Sequence, residues 1–195
     1  MICYDLPRSV EVGGEKYEIR TDYRCILDIC GVYADPEYSD EEKALTIMDM
    51  FYFSPRWEEM PSRLWREAME KCAWFVDGGD HPTARAPSPN LVDWEQDFRL
   101  IAAPVSRVYG QDIRAIPYDP ETNTGGLHWW TFLAYYMEIG DCLFAQVMRI
   151  RDMKIRGKRM DKQDKEFYRR NQDLIDIKTR YTESEEEFFK QWGGV

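Results

Sequence analysis

The chain has 195 residues, 44% of them hydrophobic and 32% charged, with a formal net charge of -10. That balance is globular and allows a real core, which excludes a chain too polar to fold, and no apolar run approaches the roughly 18 to 20 residues of a membrane span. Cys3, Cys25, Cys30, Cys72 and Cys142 form no CxxC pair, and "MICYDLPRSV" lacks the basic and apolar regions of a secretion signal, so a cytosolic protein with reduced thiols is expected.

In chain order, Val10 and Val12 precede Gly13-Gly14, and Tyr17 and Ile19 follow. The alternation predicts a β-hairpin over about 8–20, closed by glycines that supply the positive φ of a primed turn. Thr21 or Asp22 then caps a helix with an apolar face of Tyr23, Ile26, Leu27 and Cys30. "SDEEKALTIMDMFYF" opens with a capping box, Ser39 with Glu42. Pro61 and Ser62 begin a third helix that buries Leu64, Trp65, Met69, Cys72 and Phe75. Glycines and prolines make 77–90 a loop.

Asp93 caps the next helix, which is expected to bend near Pro104 and stop at Gly110. "IPYDPETNTGG" reads as a second loop. In "LHWWTFLAYYMEIGDCLF", Trp129, Phe132 and Tyr136 recur at helical spacing, and Gly140-Asp141 is expected to end one helix and cap another. A basic helix follows, interrupted near Gly157. Asp161 or Asp164 starts a further helix to about Tyr181, and 182–195 forms a short helix or tail. The methionines at 48, 50, 69, 137, 148 and 153 are mostly core by spacing, and a few exposed ones would suit adaptable binding. The expected fold is mainly α: one helical domain over 1–181 with a small N-terminal β-hairpin.

Charge is uneven. Between Arg149 and Arg170 ten Lys/Arg oppose four Asp/Glu, a local +6 that leaves -16 on the rest of the chain. This asymmetry points to an electrostatic contact between copies or with a partner, or else to a solvated helix face. Nucleic acid is not the expected partner, because a chain of -10 repels phosphate overall.

His128-Trp129-Trp130 invites three readings: core packing at a helix start, partner docking, or catalysis. The residues around it offer no nucleophile, no Ser/His/Asp spacing and no paired carboxylates, so no catalytic residue is assigned. His81 and His128 are the only histidines and stand far apart, and no metal or cofactor site is expected.

Four motifs, in order, carry a resemblance. They are "LPRSVEVGGEKYEIRTDYR" with Ile-x-Thr-Asp-Tyr-Arg at Ile19 to Arg24, "DWEQDFRLIAAPVSRVYGQDI" at Asp93 to Ile113, "LHWWTF" at Leu127 to Phe132, and the charged "DKEFYRR". Together they resemble the bacteriophage gene-product-fifteen family, encoded near the tape measure gene of siphophages and prophages. The segment after Leu143, "FAQVMRIRDMKIRGKRM", departs from the family pattern.

The resemblance implies a non-enzymatic tail assembly chaperone. Such a protein keeps the tape measure protein soluble in the host cytoplasm during tail morphogenesis and is absent from the mature virion. A structural tail or connector protein is the alternative, and a nucleic-acid-binding regulator a further one. The implied partners are the tape measure protein, other tail proteins and further copies of the chain. On that reading Trp129, Trp130, Phe132 and Tyr136 are candidate anchors for the client's apolar stripe. Arg156, Lys158 and Arg159 are candidates for setting the spacing of copies.

Overall fold

The computed structural model describes residues 5–53, 57–79 and 91–182. The chain gathers into two compact units, the first running up to Gly79 and resuming at Thr179, the second ending at Lys178. The tail expected over 182–195 lies, from 183 onward, outside the described residues, as do Cys3, His81 and most of the 77–90 loop.

In the first unit β1 (Ser9–Val12) pairs antiparallel with β2 (Glu15–Glu18), with Val10 opposite Tyr17. Gly13 and Gly14 both take positive φ, +59° and +85°, as a two-residue primed turn requires. Val10, Val12, Tyr17 and Ile19 are the buried side of the hairpin. Helix α1 (Tyr23–Ala34) is capped by Asp22, whose carboxylate accepts from the Arg24 N–H at 3.0 Å and from Arg24 Nε at 2.9 Å. Its buried residues are Tyr23, Ile26 and Ile29, while the expected Leu27 and Cys30 are half-buried, because the buried stripe runs at i, i+3, i+6.

Helix α2 (Asp40–Phe51) has the full Ser39–Glu42 capping box. Its last carbonyls are met by Arg20, which donates from one Nη to Asp49 O (2.7 Å), Met50 O (3.1 Å) and Tyr52 O (3.2 Å). A cation is favourable at this end of a helix. The Ile19-to-Arg24 motif thus has a physical content. Ile19 bridges to Tyr52, Arg20 closes α2, Asp22 caps α1, Tyr23 enters the core, and Arg24 neutralises the cap. Helix α3 (Trp65–Val76) follows a short 3-10 turn and buries Ala68, Cys72 and Phe75. Leu64, Trp65 and Met69 are half-buried rather than core, because close packing favours small Ala68, whose carbonyl accepts from the Tyr52 hydroxyl at 2.9 Å.

In the second unit α4 (Trp94–Tyr109) runs from its Asp93 cap to Gly110 at φ +94°, with Pro104 buried inside it. A 3-10 turn (Ile113–Ala115) follows, and the expected loop after it holds a minimal hairpin, β3 (Tyr118–Asp119) against β4 (Thr124–Gly125). Asn123, at φ +52°, and Gly125 make that turn possible. Helix α5 (Trp129–Met137) ends at Glu138, and α6 (Leu143–Ile155) starts from a Cys142 cap. The expected cap at Asp141 is corrected by one position: the Cys142 sulfur accepts from the Ala145 N–H at 3.5 Å.

Helix α7 (Lys162–Arg170) begins with a second capping box, Asp161 with Asp164. It does not reach Tyr181. Asn171 donates from both its backbone N and its Nδ2 to the Phe167 carbonyl, which closes the helix, and α8 (Gln172–Ile175) follows. Val147, Ile150 and Ile175 form the apolar heart of this part, with Leu100 and Phe167 packed against it.

Beside that heart lies a buried ion pair. Arg151 of α6 meets Asp97 of α4 through two hydrogen bonds, 2.6 and 2.9 Å, with side chains 3% and 0% exposed. Its other donors reach Leu91 O (2.8 Å), Leu174 O (2.7 Å) and Ile175 O (2.6 Å). All five guanidinium N–H groups are therefore satisfied, which is the condition for burying this charge.

Candidate functional site

The aromatic stretch is organised by its first residue. His128 caps α5: its Nδ1 accepts from the Trp130 N–H at 3.1 Å, and its carbonyl accepts from Phe132 N at 2.9 Å. The imidazole is committed to holding a helix end. From there the helical repeat sends Trp129 and Phe132 inward, where their rings stack at 5.4 Å and 13°. Trp94 of α4 packs on Trp129, Phe132 and Tyr136 at 5.7, 6.2 and 5.2 Å, and Tyr136 meets Phe144 of α6 at 5.9 Å.

Trp129, at 1% exposure, and Phe132, at 0%, present no surface to a partner. Their reading as client anchors is corrected: they are the aromatic seam that joins α4, α5 and α6. Tyr136 is half-buried, and its hydroxyl is pushed up to about 12, first by burial and then by the charge of Asp97. Trp130 is half-buried, one position round the helix from Trp129, and its ring lies edge-on to His128 at 6.1 Å. Of the four candidate anchors, Trp130 and Tyr136 retain accessible area. Met137, in a set of methionines read as mostly core, is 75% exposed at the end of α5.

The basic candidates separate in the same way. Arg156 and Lys158 both bond Asp152, Lys158 at 2.7 Å, and these two hydrogen bonds, that of Lys158 foremost, hold the Asp152 carboxyl below its usual range. Arg149 pairs with Asp164 at 2.5 Å, Lys154 with Asp176, and Arg170 with Glu166 at 2.5 Å. Arg159 is exposed and in no ion pair among the described residues. So are Lys162, Lys165 and Arg169, which recur at i, i+3, i+7 on one face of α7. Net charge along a segment does not reveal which cations are already neutralised: of the three candidates, Arg156 and Lys158 are paired with Asp152 and Arg159 is not. Lys162, Lys165 and Arg169 share with Arg159 the absence of an ion pair among the described residues.

Among the described residues no group of three or more His, Cys, Asp or Glu is placed to hold a metal. Burial pushes the Cys25 and Cys72 thiols up to about 12 and the Cys30 thiol to about 11, which keeps them protonated, and Cys25 donates its S–H to Met50 O at 3.2 Å. No helix of the described residues is long and apolar enough to cross a membrane.

No curated protein and no solved structure matches the chain. A family model described as Bacteriophage Gp15 protein matches residues 3–177. That match takes in the capped α1 motif, the α4 segment with its Asp97, the His128-capped aromatic helix and the Arg151 pair. The chain belongs to the bacteriophage Gp15 protein family.

Proposed function

We propose that the protein is a phage tail assembly chaperone that binds the tape measure protein and keeps it soluble during tail morphogenesis. Membership of the Gp15 family carries this reading, because it sets the chain among phage proteins. Surface chemistry supports it: exposed Met137, Leu143 and Ile155 are isolated apolar contacts on an acidic protein of net charge -10. Contacts of this kind suit a long client held by repeated weak interactions, with acidity keeping the coated complex in solution. The protein acts in the host cytoplasm and leaves before the virion is complete.

Co-expression with the neighbouring tape measure gene tests the reading. A tagged copy is expected to retain the tape measure in the soluble fraction and to co-purify with it. Mass spectrometry of purified virions separates the chaperone from a structural tail or connector protein: stoichiometric amounts in the particle would favour the latter.

A further inference from the structure

Helix α6 has exposed groups of opposite charge at its two ends, and each end also exposes apolar side chains. Just before its first turn stand Glu138 and Asp141, both exposed and in no ion pair among the described residues. Met137 and Leu143, 75% and 44% exposed, flank them. Arg107 ties this turn to α4 by donating to Ile139 O at 2.5 Å, so the acidic corner is held in place. At the other end Ile155 is 53% exposed, and Arg159, Lys162 and Lys165 line an open depression of about 540 Å³ together with Met160 and the Asp161 carboxylate, so three cations there face one anion. The capping box of α7 takes the amides of Asp161 and Asp164.

The thirteen residues of α6 span about 20 Å, from Leu143 beside the acidic corner to the exposed Ile155. We propose that the second unit binds a second copy head to tail, with Glu138, Asp141, Met137 and Leu143 of one copy against Lys162, Lys165, Arg159 and Ile155 of the next. A second copy is the occupant that presents both the matching charges and the matching apolar groups. Phosphate polymers gain nothing from Ile155 and meet the repulsion of a -10 chain. The contact is heterologous: each copy added leaves one corner of each kind free, so copies add in series. It goes beyond the tape measure reading and requires no client.

Sedimentation velocity of the purified full chain tests this at about 50 mM and about 500 mM salt. The wild type is expected to associate with rising concentration at low salt and to dissociate at high salt. Glu138→Lys with Asp141→Lys, and separately Lys162→Glu with Lys165→Glu, should each weaken association about tenfold or more. An equimolar mixture of the two variants should associate again, because each supplies the native corner that the other lacks. All four positions are exposed, and circular dichroism confirms that the variants fold. Leu143→Ser, which changes no charge, should also weaken association. A wild type that stays monomeric at low salt overturns the proposal, and so does either reversal leaving association unchanged or a mixture that stays monomeric. Salt-sensitive binding of mixed-sequence duplex DNA by a monomeric wild type, lost in Lys162→Glu/Lys165→Glu, would assign the cations to phosphate instead. Tape measure capture by a strictly monomeric protein would sink the self-contact and leave the chaperone reading standing.

Discussion

Arg151 lies in a segment that reads as charged, and Trp129 in one open to core packing, docking or catalysis; both are core. Removing the arginine leaves Asp97 charged and buried without its partner, so Arg151→Ala should cost about 3–5 kcal/mol of stability in urea denaturation. Arg151→Lys should rescue little, because an ammonium lacks the planar fork that meets both Asp97 oxygens and three carbonyls. Trp129→Ala removes a stacked, enclosed ring and is expected to cost about 3–5 kcal/mol. Trp130→Ala, at a half-buried position, should cost clearly less; reduced tape measure pull-down with a small change in Tm would assign it to the client surface. The cysteines offer a chemical check. Cys25, Cys30 and Cys72, held as thiols by burial, should react slowly with a thiol reagent at pH 8 in the folded protein and fully in denaturant.

Elements begin and end where side chains satisfy their free backbone groups. Ser39→Ala deletes half of the α2 capping box and should cost about 1 kcal/mol, readable by thermal melting. Glycines at the turns differ in what a side chain would meet. A Cβ at Gly13 would lie 2.6 Å from Leu64 Cδ1, a flexible neighbour, whereas one at Gly125 would lie 2.5 Å from the Pro117 carbonyl oxygen, which is backbone. Both have positive φ, so Gly125→Ala should be the more damaging of the two.

The α6, α7 and α8 segment has an acid limit. Asp152 is held below its ordinary value of 3.8 by Lys158 and Arg156, and Asp164 by Arg149. Burial pushes the Asp176 carboxyl up, but hydrogen bonds from Lys154 and Tyr168 outweigh it and leave the group lowered. Carboxyls lowered in the folded state contribute stability that is complete above about 3.8 and is lost as pH falls through the lowered values. Amide exchange in α7 and α8 should therefore quicken as the pH drops from about 5 to about 3, relative to the intrinsic rate at each pH.

At the scale of the whole molecule the -10 net charge conceals a segregation of signs, with +6 between Arg149 and Arg170. Most of that positive charge is paired within the second unit, and what remains is the small stripe Arg159, Lys162, Lys165 and Arg169. Arg156→Glu removes a cation that already has a partner, while Lys165→Glu reverses one that has none. Retention of the tape measure at low salt should thus respond to Lys165→Glu more than to Arg156→Glu if the stripe touches the client, and equally little if it touches only other copies.

Local signals in the amino-acid sequence determined the helical class, the Gly13-Gly14 hairpin, the Ser39 and Asp93 caps and the stop at Gly110, and narrowed two further caps to Thr21 or Asp22 and to Asp161 or Asp164, because each depends on residues within one turn of itself. Four motifs in order also sufficed for the family. Only the tertiary structure decided that Trp129 and Phe132 belong to the core while Met137 faces solvent, since a helix buries whichever stripe its neighbours cover, and here Trp94 covers one stripe. It also decided which cations are free: Asp97 lies 54 positions from Arg151 in the chain, and no local spacing reveals a pairing across that distance.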